Sequence, residues 1–355
     1  MTSFAHTARV EHRSDACENS PLLGNDEFDE RKLQARDGSA SAFAVFGLGF
    51  TIMWIQALVR WFASPDEFQP APILGPDEIS PWRLVALRIF EALNMAVLLF
   101  MVWFCLLVPL FPSLRRFKKT SESSRFTLDG RQVLGGLVAF CADGFLNCQQ
   151  YLFMWNANGI NRGVWVRFLP FHATSTSTRY AENLLFGPPM YVYFCEGFGI
   201  LGCAMAKPIR RRCPHLTNAG LLTIIWCIEY VADFCIENVA IRVTHAYGFA
   251  KTYGPLTLFP GKVHQFPLYE SAFVASLGVL HTAVRMKALD NGISPIERGY
   301  EAWPPVMQSA VRTFAVFGFC AAAVIMFYHL PLNWLGVIGD CYADMPSYMK
   351  AGIVG

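Results

Sequence analysis

The sequence is poor in charged residues, since only 16% of its 355 residues are Asp, Glu, Lys or Arg and 54% are hydrophobic. Soluble domains usually carry about 25% charged residues, so this chain lacks the side chains that cover a soluble surface. Its net charge is only +2, and no basic patch indicates a nucleic acid as a partner. The composition therefore predicts an integral membrane protein.

The sequence also lacks the motifs of nucleotide, redox and metalloprotease chemistry. It contains no P-loop, no G-x-G-x-x-G, no haem-attachment signature and no H-E-x-x-H. Its 11 cysteines lie mostly in apolar stretches, without the paired spacing of a metal site or a disulfide framework. We therefore expect no cofactor and no metal, and a reaction that needs only acid–base chemistry.

Apolar stretches of about 20 residues, the length that crosses a bilayer, occur seven times. The spans are predicted at roughly 41–63, 84–110, 132–155, 188–206, 221–241, 266–287 and 310–331. The predicted fold is an all-α membrane bundle of about seven transmembrane helices over residues 41–332. Residues 1–40 are polar and are predicted to form a disordered cytosolic tail, and residues 333–355 a short carboxyl-terminal end.

The loops alternate in charge along the chain. Basic residues follow the second, fourth and sixth predicted spans, whereas the loop over residues 64–81 carries acids. Because basic loops stay on the cytosolic side of a membrane, we expect a cytosolic amino terminus and a carboxyl terminus on the far side. The expected location is the endoplasmic reticulum or another endomembrane.

The fifth span carries three acids on one helical face. Glu229, Asp233 and Glu237 are four residues apart, so their side chains follow one another along the helix. A charge at mid-bilayer costs at least about 2.5 kcal/mol, and three neighbouring carboxyl groups cannot all ionise there, so one or more should hold a proton near neutral pH. A protonated carboxyl beside an ionised one suits general acid–base catalysis. The structural alternative is polar contact between helices.

Polar residues in other spans, together with Asn238 of the fifth, are predicted to converge on the non-cytosolic half of the bundle or on mid-membrane. This convergence is what a binding pocket requires. For Arg88 and Glu91 of the second span, a structural ion pair is an equally good explanation. The residues are Arg88, Glu91, Asp143, Asn147, Glu196, Asn238 and Glu270.

Two loops are predicted to complete the pocket mouth with aromatic and amide side chains, and Tyr230 of the fifth span is a further candidate wall residue. An aromatic ring face stabilises a cation by about 0.5–2 kcal/mol, although tryptophans near a membrane surface can also be ordinary interfacial residues. The candidate substrate-binding residues here are Trp155, Asn158, Asn161, Trp165, Tyr230 and His264.

Three motifs resemble the AveC-like spirocyclase family. They are D-G-x-x-N followed by W-N-x-N-G-x-N-R-G-x-W-x-x-x-x-P over residues 143–170, E-x-x-x-D-x-x-x-E-N over 229–238, and H-Q-F-P-L-Y-E over 264–270. The resemblance covers residues from about 50 to 300. It implies cofactor-independent ring closure on a polyketide, which gives a spiroketal.

The chain is also similar in size and character to the fungal membrane terpene cyclases of the ascochlorin and ascofuranone pathways. In those proteins acid opens an epoxide on a farnesyl chain attached to an aromatic ring, and the resulting cation closes a ring. This second resemblance implies an isomerase-type terpene cyclase that acts on a lipophilic meroterpenoid precursor in secondary metabolism.

The working hypothesis is therefore a multi-pass cyclase that protonates an epoxide on a terpenoid tail. The predicted general acid is Glu237 or Asp233, and Glu229 or Asp143 would accept a proton or balance the cation. The predicted pocket walls are Trp155, Trp165 and Tyr230. The substrate oxygen is predicted to be oriented by Asn147, Asn158 and Asn161.

Three alternatives stay open. The first is a spiroketal-forming cyclase that acts on a polyketide, and the second is a metal-dependent prenyltransferase, because acids at four-residue intervals can hold Mg²⁺. The third is a proton-coupled transporter of a lipophilic molecule, since carboxyl groups within a membrane also serve proton relays. In each case the expected partners are a lipophilic small molecule and membrane lipid, and pathway enzymes of the same membrane are expected beside them.

Overall fold

The structure is a computed structural model that describes residues 38–111, 113–114, 126–170, 172 and 180–350. Nearly all of the predicted cytosolic tail lies outside the described residues. Seven main helical stretches occur within the described ranges. They are α1 (Ser39–Phe62), α2 (Pro81–Leu110), α3 (Leu128–Ala139), α4 (Gly187–Arg212), α5 (Asn218–Thr244), α6 (Leu268–Asn291) and α7 (Pro305–Val337).

Six of these helices, all except α3, are long and apolar enough to cross a membrane. The chain is therefore a multi-pass membrane protein built as an α-helical bundle, as predicted. Several helix boundaries follow from local sequence. Thr217 caps α5 by accepting a hydrogen bond from the Gly220 N–H at 3.1 Å, and α6 ends at Gly292 in the left-handed conformation that glycine adopts easily.

The third predicted span, residues 132–155, differs most from the structure. Helix α3 begins at Leu128 and continues only as a 3₁₀ turn over Phe140–Phe145, after which the chain enters a loop. This helix is almost wholly buried and packs against α4 and α7. Glycine permits the close approach, because a Cβ on Gly136 would lie 2.6 Å from the carbonyl oxygen of Tyr191. Hydropathy alone does not separate such a central helix from one that faces lipid.

Three of the long helices contain a π-helical turn, in which one extra residue rotates the side chains that follow. These turns cover Val102–Leu107 in α2, Tyr193–Gly197 in α4 and Ile325–His329 in α7. The turns in α4 and α7 carry buried polar side chains, and π-helical turns occur frequently at functional sites.

Short antiparallel strand pairs cover one end of the bundle. We call it the cap end, formed by residues 146–170, 245–267 and 338–350. A last short helix, α8 (Ser347–Lys350), contacts the first strand. The strands pair as β1 (Phe153–Trp155) with β2 (Tyr247–Phe249), β3 (Lys251–Thr252) with β6 (Cys341–Tyr342), and β4 (Thr257–Leu258) with β5 (Phe266–Pro267).

Candidate active site

Three carboxyl groups from two helices meet in the half of the bundle nearest the cap end. Asp233 and Glu237 lie in the second half of α5, and Glu270 lies in the first turn of α6. One oxygen from each carboxyl group lies within 4.8 Å of the others. Because α5 and α6 are consecutive and pack side by side, the end of one helix faces the start of the next. We call these residues the carboxyl triad.

The triad shares protons within itself. Glu270 is in hydrogen-bond contact with both Asp233 and Glu237, and an ionised carboxylate only accepts hydrogen bonds, so each such contact requires a proton. All three side chains are buried, and the ion pairs formed by described residues do not include them. The carboxyl triad therefore holds protons between its members and does not form ion pairs with described residues.

Hydroxyl groups surround the triad. The Tyr328 hydroxyl donates to Oε1 of Glu270 at 3.1 Å, and Tyr247 forms a hydrogen bond with Glu237. Tyr193 lies within electrostatic range of all three carboxyl groups. Burial, followed by the charge of Glu237, raises the pKa of Tyr247 well above its ordinary value, so this phenol stays a donor near neutral pH.

Aromatic rings pack beside the triad residues. The Phe266 ring lies 5.7 Å from the rings of Phe234 and Phe249, measured between centroids. Tyr247 stacks on Phe186 at 5.1 Å, and Trp155 contacts Tyr247 from a centroid distance of 6.2 Å. The predicted wall residue Trp155 therefore lies next to a tyrosine that binds the triad.

The fourth acid of this region, Glu229, lies one helical turn before Asp233 on α5. It is buried, and neither of its carboxyl oxygens has a hydrogen-bond partner among the described residues. It packs against α6, where a Cβ on Gly278 would lie 2.4 Å from Oε2 of Glu229. The structure therefore places Glu229 beside the triad but outside it.

A second group of polar side chains lies nearby, and we call it the Tyr191 cluster: Glu182, Asp143, Tyr191 and His329. The Tyr191 hydroxyl lies 2.6 Å from Oδ1 of Asp143 and 2.7 Å from Nε2 of His329. The carboxyl groups of Asp143 and Glu182 are in hydrogen-bond contact. Burial, and then the neighbouring Asp143, raise the pKa of Glu182 well above its ordinary value, so these two acids share a proton.

Several predicted site residues instead hold the loops of the cap end. Asn147 accepts hydrogen bonds from the backbone N–H groups of Leu152 and Phe153, both at 3.0 Å, and so closes the turn after α3. Oδ1 of Asn161 accepts from the backbone N–H of Ala71 at 2.8 Å. The side chain of Asn158 bonds within its own turn, to Oδ1 of Asn156 at 3.1 Å.

Arg88 and Glu91 form the ion pair that their spacing suggested, with an N–O distance of 2.5 Å. The other carboxyl oxygen of Glu91 accepts from the backbone N–H of Ile160 at 2.8 Å and from Asn183 at 2.9 Å. Arg88 also donates to the carbonyl oxygen of Asn158. This pair therefore anchors the cap loop to α2.

The remaining predicted residues contact other parts of the protein. Glu196 pairs with Arg285 at 2.7 Å, in the half of the bundle away from the cap. Trp165 donates to the carbonyl oxygen of Cys141 at 3.0 Å. The other three contact residues near them in sequence: Tyr230 stacks on Trp226, Asn238 donates to the carbonyl of Phe234, and His264 packs on Phe259. Their substrate-binding roles remain predictions.

Sequence reasoning missed the tyrosines around the triad and every member of the Tyr191 cluster except Asp143. Tyr328 and His329 form a polar pair inside an apolar span, so the same cost argument that identified the acids could have found them. Tyr247 and Glu182 lie in loops, where a polar residue is ordinary and carries no signal. The other missed residues are Tyr191, Tyr193 and Ser271, which is in hydrogen-bond contact with Asp233.

Among the described residues, three groups of side chains have ligand atoms close enough to hold a metal ion. The carboxyl triad offers oxygen ligands that suit a hard cation such as Mg²⁺, and a thiol–imidazole group suits a softer metal. The expectation that the protein uses no metal remains a prediction. The groups are Asp233, Glu237 and Glu270; Cys195, His281 and Cys320; and Cys105, Asp129 and Glu196.

Comparison with known proteins identifies one family. The model of the family described as "Spirocyclase AveC-like" matches residues 123–347, which is more than half of the chain. The matched segment contains every residue of the carboxyl triad and of the Tyr191 cluster. No curated protein and no solved structure matches the chain.

Proposed function

The chain belongs to the AveC-like spirocyclase family, and from this premise we propose a specific reaction for it. The protein is a cyclase embedded in a membrane, and its substrate is an epoxide-bearing terpenoid precursor of a meroterpenoid secondary metabolite. Acid initiates the ring closure, and no cofactor takes part. The observation that carries this proposal is the carboxyl triad, three buried acids that contact one another and form no ion pair with any described residue.

The reaction needs one proton to arrive and one to leave. Glu237 or Asp233 donates a proton to the epoxide oxygen, and the carbon–oxygen bond breaks as the electrons of a nearby alkene form the new carbon–carbon bond. The resulting carbocation then loses a proton to a base, for which Glu229 and Asp143 are the sequence candidates. Atoms and charge balance within the substrate, so the product is an isomer of the epoxide.

The aromatic surroundings favour a carbocation as the intermediate. The rings of Phe234, Phe249 and Phe266 pack on one another beside the triad helices, and an aromatic face stabilises a nearby cation by about 0.5–2 kcal/mol. Exclusion of water protects such a cation from capture. This environment supports a terpenoid substrate.

The second candidate is spiroketal formation from a polyketide that bears a ketone and two hydroxyl groups, and the family description favours it. The same triad would protonate the oxygen that leaves as water. The two reactions differ in mass balance, because epoxide opening yields an isomer whereas spiroketal formation releases one water.

The test uses the purified full-length protein in detergent, offered an epoxidised farnesyl phenol and, separately, a dihydroxyketone. We expect a cyclic isomer of the epoxide by mass spectrometry. Asp233→Asn and Glu237→Gln should each reduce its formation, whereas Glu78→Gln, which removes an exposed acid of the α1–α2 loop, should not. Full turnover in both triad variants would reject the acid assignment, and a dehydrated product from the ketone alone would favour the spiroketal reaction.

Two further measurements separate the remaining alternatives. A prenyltransferase that holds Mg²⁺ on the acids would lose activity in EDTA, whereas the proposed cyclase keeps it. A proton-coupled transporter needs a gradient, so product formed in detergent micelles supports an enzyme. We also propose the endoplasmic reticulum or another endomembrane as the location, beside the enzymes that supply the epoxide, and microscopy of a tagged chain tests this.

A further inference from the structure

The carboxyl triad and the Tyr191 cluster are built from adjacent residues of the same two helices. In α4, Tyr191 belongs to the cluster, whereas Tyr193 lies within range of the triad. In α7, His329 bonds to Tyr191, whereas the preceding Tyr328 bonds to Glu270. Tyr191 and Tyr328 also interact electrostatically. The two polar centres are therefore neighbours. The π-helical turn of α4 begins at Tyr193, and the turn of α7 contains both Tyr328 and His329.

The hydrogen bonds of the cluster fit an arrangement of protons that leaves Nδ1 of His329 unprotonated. The Tyr191 hydroxyl has a single hydrogen and two partners, Oδ1 of Asp143 at 2.6 Å and Nε2 of His329 at 2.7 Å. If Tyr191 donates to Asp143, the N–H at Nε2 of His329 donates to the Tyr191 oxygen, and each contact has one donor and one acceptor. In this arrangement the other ring nitrogen, Nδ1, carries a free lone pair.

That nitrogen has no partner in the part of the chain that the structure describes. The His329 side chain is almost completely buried, and Nδ1 has no hydrogen-bond partner among the described residues. A buried polar atom without a partner costs free energy, and such atoms call for a functional explanation. A neutral imidazole nitrogen with a free lone pair accepts a proton, and a carbocation is acidic enough to give one up to it.

The rest of the cluster supplies hydrogen-bond partners that orient the ring when it is protonated. When Nδ1 takes up a proton, the imidazolium donates from Nε2 to Tyr191, which in turn donates to Asp143. Glu182 holds Asp143 from its other side. A base oriented by a second group, which is itself oriented by a carboxylate, is the general arrangement of catalytic bases.

We propose that His329 is the base that ends the cyclisation, and that Tyr191 and Asp143 are its positioning residues. This assignment rests on the proposed function. The triad protonates the epoxide oxygen; later a C–H bond next to the cationic carbon breaks, its electrons form the product alkene, and its proton goes to Nδ1 of His329. The acid and the base thus lie in different centres, as suits a substrate whose epoxide and final cation are at different carbons.

The most informative variant is His329→Gln. A glutamine amide can occupy the position of Nε2 and keep the contact with Tyr191, but it removes Nδ1. Because the triad is intact, the cation still forms. It is then captured by water or loses a proton from a different C–H bond. We expect the ratio of the native alkene to the hydrated alcohol and to other alkene isomers to fall by at least about tenfold.

Tyr191→Phe removes one oxygen atom and should shift the same ratio in the same direction. The matched control is Tyr180→Phe, because Tyr180 is equally buried but bonds to the carbonyl oxygen of Asn147 at 3.4 Å. The control should leave the ratio unchanged. Gel filtration and thermal melting in detergent check folding, and if one cluster variant does not fold, the other decides.

An unchanged product ratio in the folded cluster variants overturns the assignment, even if the total rate falls, because a purely structural role changes only the rate. Failure of the proposed function differs, since the unaltered protein would then give no cyclised isomer, and the assignment would fall with it. A changed ratio in His329→Gln and Tyr191→Phe, with a normal ratio in Tyr180→Phe, supports the base.

Discussion

Two regions of the bundle bury acids in opposite ways. Near the cap end, Glu270 is fully buried and its neighbours are two carboxyl groups and a tyrosine. In the other half, Glu196 is equally buried, but Arg285 lies 2.7 Å away and also binds Asp129. A fully buried glutamate thus shares a proton with other acids in one region and forms an ion pair with an arginine in the other.

This difference shows that burial alone does not identify a reactive acid. An ion pair neutralises a buried carboxylate and removes the need for a proton, which is the arrangement of Glu196 and also of Glu297 between Arg131 and Arg312. Acids that have only each other as partners must hold protons, and a held proton is what an acid catalyst supplies. The partners of an acid therefore separate the two classes.

The largest expected effect is that of Glu270→Gln. Glutamine keeps the size and hydrogen-bonding reach of the side chain but holds no acidic proton. We expect turnover to fall by about 10³-fold, equivalent to about 4 kcal/mol, while the folded protein stays as stable as before. Initial rates per folded molecule measure this, and a rate within tenfold of the unaltered protein would remove Glu270 from the triad's function.

The matching change in the paired region is Arg285→Met. It leaves Glu196 and Asp129 without their cation, which costs about 3 kcal/mol for a buried pair, so the midpoint of unfolding in detergent should fall while turnover per folded molecule persists. The double variant with Glu196→Gln should recover part of the stability. An undiminished midpoint in the single variant would contradict the structural role.

A smaller effect is expected from Tyr328→Phe, which removes the 3.1 Å hydrogen bond to Glu270. One hydrogen bond contributes about 1 kcal/mol, so turnover should fall about fivefold, with little change in melting temperature. If the melting temperature falls while turnover is unchanged, the hydroxyl stabilises the fold instead, and the contrast between the two regions is weaker at this contact.

The smallest expected effect concerns His245, a buried group that pairs with neither an acid nor an arginine among the described residues. His245 ends α5, and its Nδ1 lies 3.0 Å from the Tyr348 hydroxyl. Burial, followed by the positive Arg83 and His264, lowers the pKa of His245 to about 4. The unfolded ring takes up a proton below about pH 6.5 and the folded ring does not, so stability should fall as pH drops from 6.5 towards 4.

Over the first pH unit below 6.5 this loss should be about 1 kcal/mol. His245→Asn should remove the pH dependence, because asparagine does not titrate and tolerates the left-handed backbone conformation found here. Melting curves at several pH values measure the effect. An equal loss in both proteins would assign it to another group.

Much of the fold could be predicted from the sequence, because hydropathy reports burial in lipid directly. The exception was α3, which is surrounded by protein and ends at Ala139, 16 residues before the end of the predicted span. For the site, the four-residue spacing of Asp233 and Glu237 correctly indicated a common helix face. The same reasoning grouped Glu196 with them, since nothing local in its sequence reveals Arg285, 89 residues further along the chain.

By itself, the sequence determined that the chain enters a membrane, which segments form helices, and which acids share a face, because these properties depend on composition and on the periodicity of one helix. Only the tertiary structure decided which acids have arginine partners, that Tyr191 bridges Asp143 to His329, and that two polar centres stand side by side. The physical reason is that the charge state of a buried group depends on atoms within a few ångströms, and these come from helices far apart in the chain.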